Sequence, residues 1–356
     1  MNTRSSYRLL FTLLALLLVS TTACDNKEEE NEEPQGSFDR EAMLRDMADE
    51  YIIPGYENFD FYVSNLDQAF SDYRSEPDQN SANNFQRAFK EAYSAWQEVN
   101  TFEFGPAANI ILRAQVNTFP ADTETINSNI AQGQWNLSQS SNFVAKGFPA
   151  LDYLLFSSVY SNKLKNSSLS ETELDYLEDC INEMHEFSTQ VYQEWSLNGG
   201  NYRETFIEKT GTDVGSSLGL LVNQFNYQIE LIKNPKVGIP LGKKSLGEKF
   251  PEKVEAYYSR ESTNLAKANI EAIKSFYEGK GKNEFNSLYH LLKYLDKKSN
   301  DGLLADQISE QFDVIITELD AVNAPLDEAV ISNENQVEKA RSEEHTSELQ
   351  SHAPIS

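Results

Sequence analysis

Asp152 is the residue in this sequence most in need of a chemical explanation. It lies in GFPALDYLLF, residues 147–156, an apolar run of helical length. A carboxylate there must be paired, hydrogen-bonded or placed at a cleft, because burying an isolated charge is strongly unfavourable. Two roles are open to it: contact with a cation or partner, or a hydrogen bond into the facing part of the fold. Two histidines could join it. His185 falls beside the apolar stripe of its helix, so it is expected on a solvated face, with metal binding as the alternative. His290, in the apolar SLYHLL of residues 287–292, is expected as a hydrogen-bonded core histidine, with a ligand at a domain junction as the alternative. Ser216 follows Gly211 and Gly215 at a helix entry, where its hydroxyl caps the helix or reaches a ligand. Trp96 borders the break at Phe102–Pro106 and is expected to anchor it. Residues 238–244, GIPLGKK, are one residue short of a phosphate-binding loop, end in Lys244 instead of Ser or Thr, and follow no strand, so they are read as a turn.

These residues need helices to position them. Apolar residues recur at helical spacing through residues 80–99 (Phe85, Ala88, Phe89, Ala92, Tyr93, Trp96, Val99). Further helices are expected over 38–53, ended by Pro54-Gly55, and over 59–73. Asp122 is a plausible N-cap for a helix running to Gln132. Ser170 and Glu173 have the spacing of a capping box, ahead of a stripe of Leu174, Leu177, Ile181, Met184, Val191 and Trp195. Helices are also expected over 215–233, 252–258, 263–277, 284–298 and 303–319. No alternating strand is evident, and the fold class is all-α. Residues 157–170 are polar and aperiodic, so the domain boundary is placed there, with helical bundles over 38–160 and 161–340.

Several blocks then resemble the imelysin family of extracytoplasmic bacterial proteins. They are WQEVNTFEFGP at 96–106, VNTFPADT at 116–123, KGFPALDYLLF at 146–156, GTDVGSSLGL at 211–220, GIPLGKK at 238–244 and PEKVEAYY at 251–258. The resemblance covers residues 38–335, in family order. It implies two helical bundles packed face to face, a site near their junction and a role in iron uptake, some relatives being classed as metallopeptidases. The signature of the family is Gly-x-His-x-x-Glu. Here Gly147 is kept, while Pro149 stands at the His position and Asp152 at the Glu position. Proline offers no donor atom, and a zinc peptidase needs about three protein ligands plus an activated water. The resemblance therefore implies a binding region around Gly147, Asp152, Trp96, Ser216 and His290, with Asp152 a candidate metal contact, and no catalytic residue. Iron, another divalent metal or haem is the implied cofactor. The alternatives are a divergent metallopeptidase with relocated ligands and a metal-free scaffold that binds protein or glycan. The 17 Tyr and 20 Phe could suggest glycan platforms, but most lie on helical apolar stripes and are expected in the core.

The remaining expectations concern charge and the chain ends. A net charge of −26 lacks the basic footprint of a nucleic-acid binder and attracts cations or basic partners. Residues 1–23 read as a signal peptide: Arg4 and Arg8 precede an apolar stretch too short for the ~20 residues that span a bilayer. Small residues then lead to Cys24, as in a lipobox, although Thr21 departs from the usual aliphatic residue. A lipidated Cys24, an acidic tether over 24–37 and placement at the outer membrane, beside an uptake receptor, are expected. The run DNKEEE at 25–30 resembles a surface-export signal. Residues 341–356 resemble a sequencing-adapter translation, which removes His345 and His352 as ligand candidates.

Overall fold

A computed structural model describes residues 38–295, 298–299 and 302–342. Cys24, the signal peptide, the tether and residues 343–356 lie outside the described residues. The principal helices are α1 (Ile53–Ser75), α2 (Gln79–Val99), α3 (Gly147–Phe156), α4 (Glu171–Trp195), α5 (Ser217–Leu231), α6 (Ser262–Glu278), α7 (Leu304–Asp320) and α8 (Glu334–Ser342). Helices α1, α2 and α4 pack as one bundle, so residues 171–195 join the N-terminal half and not the bundle expected over 161–340. Helices α6, α7 and α8 pack as a second with the short helices Leu288–Tyr294 and Leu326–Ser332, and α6 lies on α2. The all-helical expectation holds. The β structure among the described residues is slight: a hairpin pairing Lys298–Ser299 with Gly302–Leu303, and an isolated bridge between Lys280 and Glu284.

The apolar stripes form the core as their spacing requires. On α2, Phe85, Phe89, Tyr93 and Trp96 are at most 1% exposed. On α4, Leu177, Ile181, Met184, Val191 and Trp195 are equally buried, and Leu174 packs at the edge. The Ser170 capping box forms: the Ser170 N–H donates to Glu173 at 2.8 Å, and Ser170 Oγ accepts from the Glu173 N–H at 3.3 Å. Asp122 caps its helix by accepting the N–H groups of Glu124 and Thr125. Helix α4 is tied to α1 by Arg74, which ion-pairs Glu171, Asp175 and Glu178.

Four expected elements differ. Pro54-Gly55 does not end the first helix: Arg40–Met47 runs through a π turn, Ala48–Ile52, straight into α1. The wider turn, with the Ile53 N–H bonded to Ala48 O, lets the chain enter Pro54 without losing helical direction. The polar stretch 157–170 contains a helix, Ser158–Lys165, capped by Ser157 and buried through Tyr160 and Leu164. Of the helix expected over 284–298, the described residues are α-helical over Leu288–Tyr294, and residues 284–287 are not. Residues 252–258 are not α-helical. A single 3-10 turn, Pro251–Lys253, leads into an irregular segment with Ala256 at φ +52° and Arg260 at φ +62°.

Candidate functional site

The signature segment is built for close packing. Gly147 has φ +64°, and a Cβ there would lie 2.3 Å from Val116 O, so only glycine fits this entry to α3. Lys146, just ahead of it, is buried and donates to Glu183 at 2.7 Å and Gln115 Oε1 at 2.6 Å, fixing the helix start to α4. Phe148 stacks on Tyr93 with ring centres 4.3 Å apart. Pro149 occupies the first turn, where a missing N–H breaks no helical bond.

Asp152 is 2% exposed and turns toward the irregular segment of the C-terminal half. Its Oδ2 accepts the Tyr258 N–H at 2.8 Å and its Oδ1 the Ser259 N–H at 2.9 Å. Burial pushes its carboxyl up to about 6, against the opposing pull of these donors and of the Lys90 charge. The structural alternative read from the sequence is therefore the observed one: a hydrogen bond to the facing part of the fold.

A second feature escaped the sequence reading. Lys236 and Glu255, 4% and 1% exposed at their side chains, form an ion pair at 2.8 Å. Gln97 on α2 completes it, accepting from Lys236 Nζ at 2.8 Å and donating to Glu255 Oε1 at 3.3 Å. Asn117 donates to the same oxygen at 2.8 Å and accepts from the Tyr93 hydroxyl. The network runs on through Asn100 and Asn269 to Gln228, whose amide donates to Asn269 at 2.6 Å. Residues from α2, α5, α6 and the segments between them thus meet in one buried polar seam between the two halves. A signal existed: Gln97 and Asn269 sit at core-facing helical positions, among residues otherwise apolar.

The other candidates lie apart from this seam. Trp96 is fully buried and packs against Phe59 of α1, with ring centres 5.5 Å apart. Ser216 is the N-cap of α5, accepting from the Gly219 N–H at 3.1 Å and donating to Asp213 O at 2.6 Å. His290 corrects the core reading, being exposed on the wall of a groove of about 600 Å³ that Asp46, Glu278 and Lys280 also line. Its apolar neighbours Leu288, Leu291 and Leu292 take the buried face of the short helix and turn the imidazole outward. His290 Nδ1 accepts the Ser287 N–H at 3.3 Å and meets Ser287 Oγ at 3.0 Å. That resembles a nucleophile and its base, but Ser287 is fully buried, and the pair caps a helix. His185 is half-buried and not on the fully solvated face expected for it, with Nδ1 at 3.3 Å from Asp67.

The donor set does not fit a metal at the signature helix. Pro149 supplies no atom, and both Asp152 oxygens already face backbone N–H groups. Among the described residues, no three His, Cys, Asp or Glu side chains are grouped to hold one cation.

The architecture is that of an all-helical protein whose two bundles meet across a buried polar seam. The chain belongs to the imelysin family (Peptidase_M75), whose family model matches residues 52–352. It is similar to iron-regulated protein A of Synechococcus elongatus, 20% identical over 300 residues that cover 83% of this chain and 79% of the relative. Its fold is also that of a protein from Parabacteroides distasonis described as an iron-regulated protein A precursor. The TM-score is 0.73 at 18% identity, covering 89% of this chain and 94% of that one. An imelysin-like protein from Psychrobacter arcticum matches with a TM-score of 0.62 at 16% identity, covering 85% and 92%.

Proposed function

We propose that this chain is an exported lipoprotein, tethered to the outer membrane through Cys24, that serves as a binding or accessory protein in the uptake of iron, haem or another metal. It works beside an uptake receptor and is not a peptidase. The iron role is supported by family membership and by relatives named for iron regulation. The non-catalytic role rests on one observation: at the signature helix, Pro149 offers no ligand and the Asp152 carboxylate is turned to the Tyr258 and Ser259 amides. A hydrolytic metal site needs about three protein ligands and an open position, and this helix provides neither.

The test has two arms. A strain lacking the chain, grown with iron limiting, is expected to recover with the native chain and not with Cys24→Ala. The purified chain is expected to show no chelator-sensitive cleavage of casein. Chelator-sensitive cleavage would establish the divergent peptidase instead.

A further inference from the structure

The segment that Asp152 faces is an unusual piece of backbone. Ala256 and Arg260 both adopt left-handed conformations, which non-glycine residues enter only when their surroundings hold them there. Between them, the Tyr258 and Ser259 N–H groups point the same way, toward the two oxygens of one carboxylate. Successive amides presented in such a turn form a concavity suited to an anion. The same segment supplies Glu255 to the polar seam and Glu261 to Lys90 at 2.5 Å, so its conformation positions contacts to both α2 and the Asn117 region.

We propose that residues 256–260 form a carboxylate-binding nest and that Asp152 is its resident intramolecular ligand, a positioning residue that holds this segment against the N-terminal bundle. This inference stands on the geometry of the segment and is independent of where the chain resides or what it carries. Lys90 and Tyr93, which both act electrostatically with Asp152 or its neighbours, line a cavity of about 110 Å³ together with Glu261. Asp152→Ala removes a carboxylate that faces the Tyr258 and Ser259 amides, and a formate ion matches the removed group in size and charge.

The experiment is chemical rescue. The full-length chain and its Asp152→Ala variant are melted at pH 7.5 in sodium formate or sodium chloride of equal ionic strength. The variant is expected to melt lower than the native chain and to regain a large part of the loss in formate, saturably, while the native chain responds equally to both salts. A variant that melts like the native chain, or that gains no more from formate than the native chain does, overturns the proposal. Should Asp152→Ala fail to fold, Asp152→Asn supplies the reading through hydrogen exchange. The Tyr258 and Ser259 amides should then lose protection at least tenfold more than the α2 amides. Unchanged protection at those two amides overturns the proposal.

Discussion

Lys236 and Glu255 face each other at 2.8 Å with almost no access to water, and each reaches Gln97 on the opposite half of the molecule. An ion pair so placed gains little over a well-packed apolar pair, because both charges have lost their hydration. Its amide partners favour one register between the halves, since any other docking would strand a charge. Breaking one side should therefore be far worse than removing both. Glu255→Gln is expected to destabilise the chain by about 3–5 kcal/mol in urea unfolding, whereas Lys236→Met combined with Glu255→Leu should recover most of that loss. Equal losses in the single and double variants would remove the pair from this role.

Asp152 makes stability depend on pH in a direction opposite to that of most carboxylates. Burial raises its folded pKa to about 6, above the ordinary 3.8, so the folded chain holds this proton more tightly than the unfolded chain does. Stability from this group is greatest below the unfolded value and falls as pH rises through about 6, by on the order of 3 kcal/mol in all. The difference between native and Asp152→Asn unfolding midpoints, followed from pH 4 to pH 7, should carry this slope. Parallel curves would show that the carboxyl titrates normally.

Gly147 carries the steric demand of the signature helix. Gly147→Ala forces a side chain into a positive-φ position and against Val116 O, and is expected to destabilise by about 2–4 kcal/mol. Gly133 also has positive φ, but a Cβ there would meet nothing within 4 Å, so Gly133→Ala should cost only about 1 kcal/mol. Thermal melting of the two variants compares them directly.

His290 is expected to behave as a cap. Its Nδ1 is engaged by the Ser287 N–H and hydroxyl, so this nitrogen is turned to the helix start and not to the groove. His290→Ala should lower stability by about 1 kcal/mol through loss of the cap and leave metal retention unchanged. A fall in retained iron would return His290 to the candidate ligands.

Much of the helical pattern was legible because it follows local rules. The stripe ending at Trp195, the Ser170 capping box and the Asp122 cap each depend on residues within a few positions of one another. The misreadings share a different cause. Pro54 reads as a stop, yet the π turn before it allows the helix to continue. Residues 252–258 look helical in composition, but contacts from Asp152 and Gln97, more than a hundred residues earlier in the chain, coincide with an irregular path. Among the site residues, Asp152 stood out as an acid in an apolar run. Lys236, Glu255 and Asn117 did not, because a polar residue in a polar stretch carries no local sign of burial.

The central claim is that the signature helix of this imelysin-family chain no longer holds a metal. The most direct measurement is the metal content of the purified chain after equilibration with iron(II) and zinc(II) salts and exhaustive dialysis. The account predicts that the native chain and Asp152→Asn retain the same amount of each metal. About one ion per chain, lost on Asp152→Asn, would contradict it.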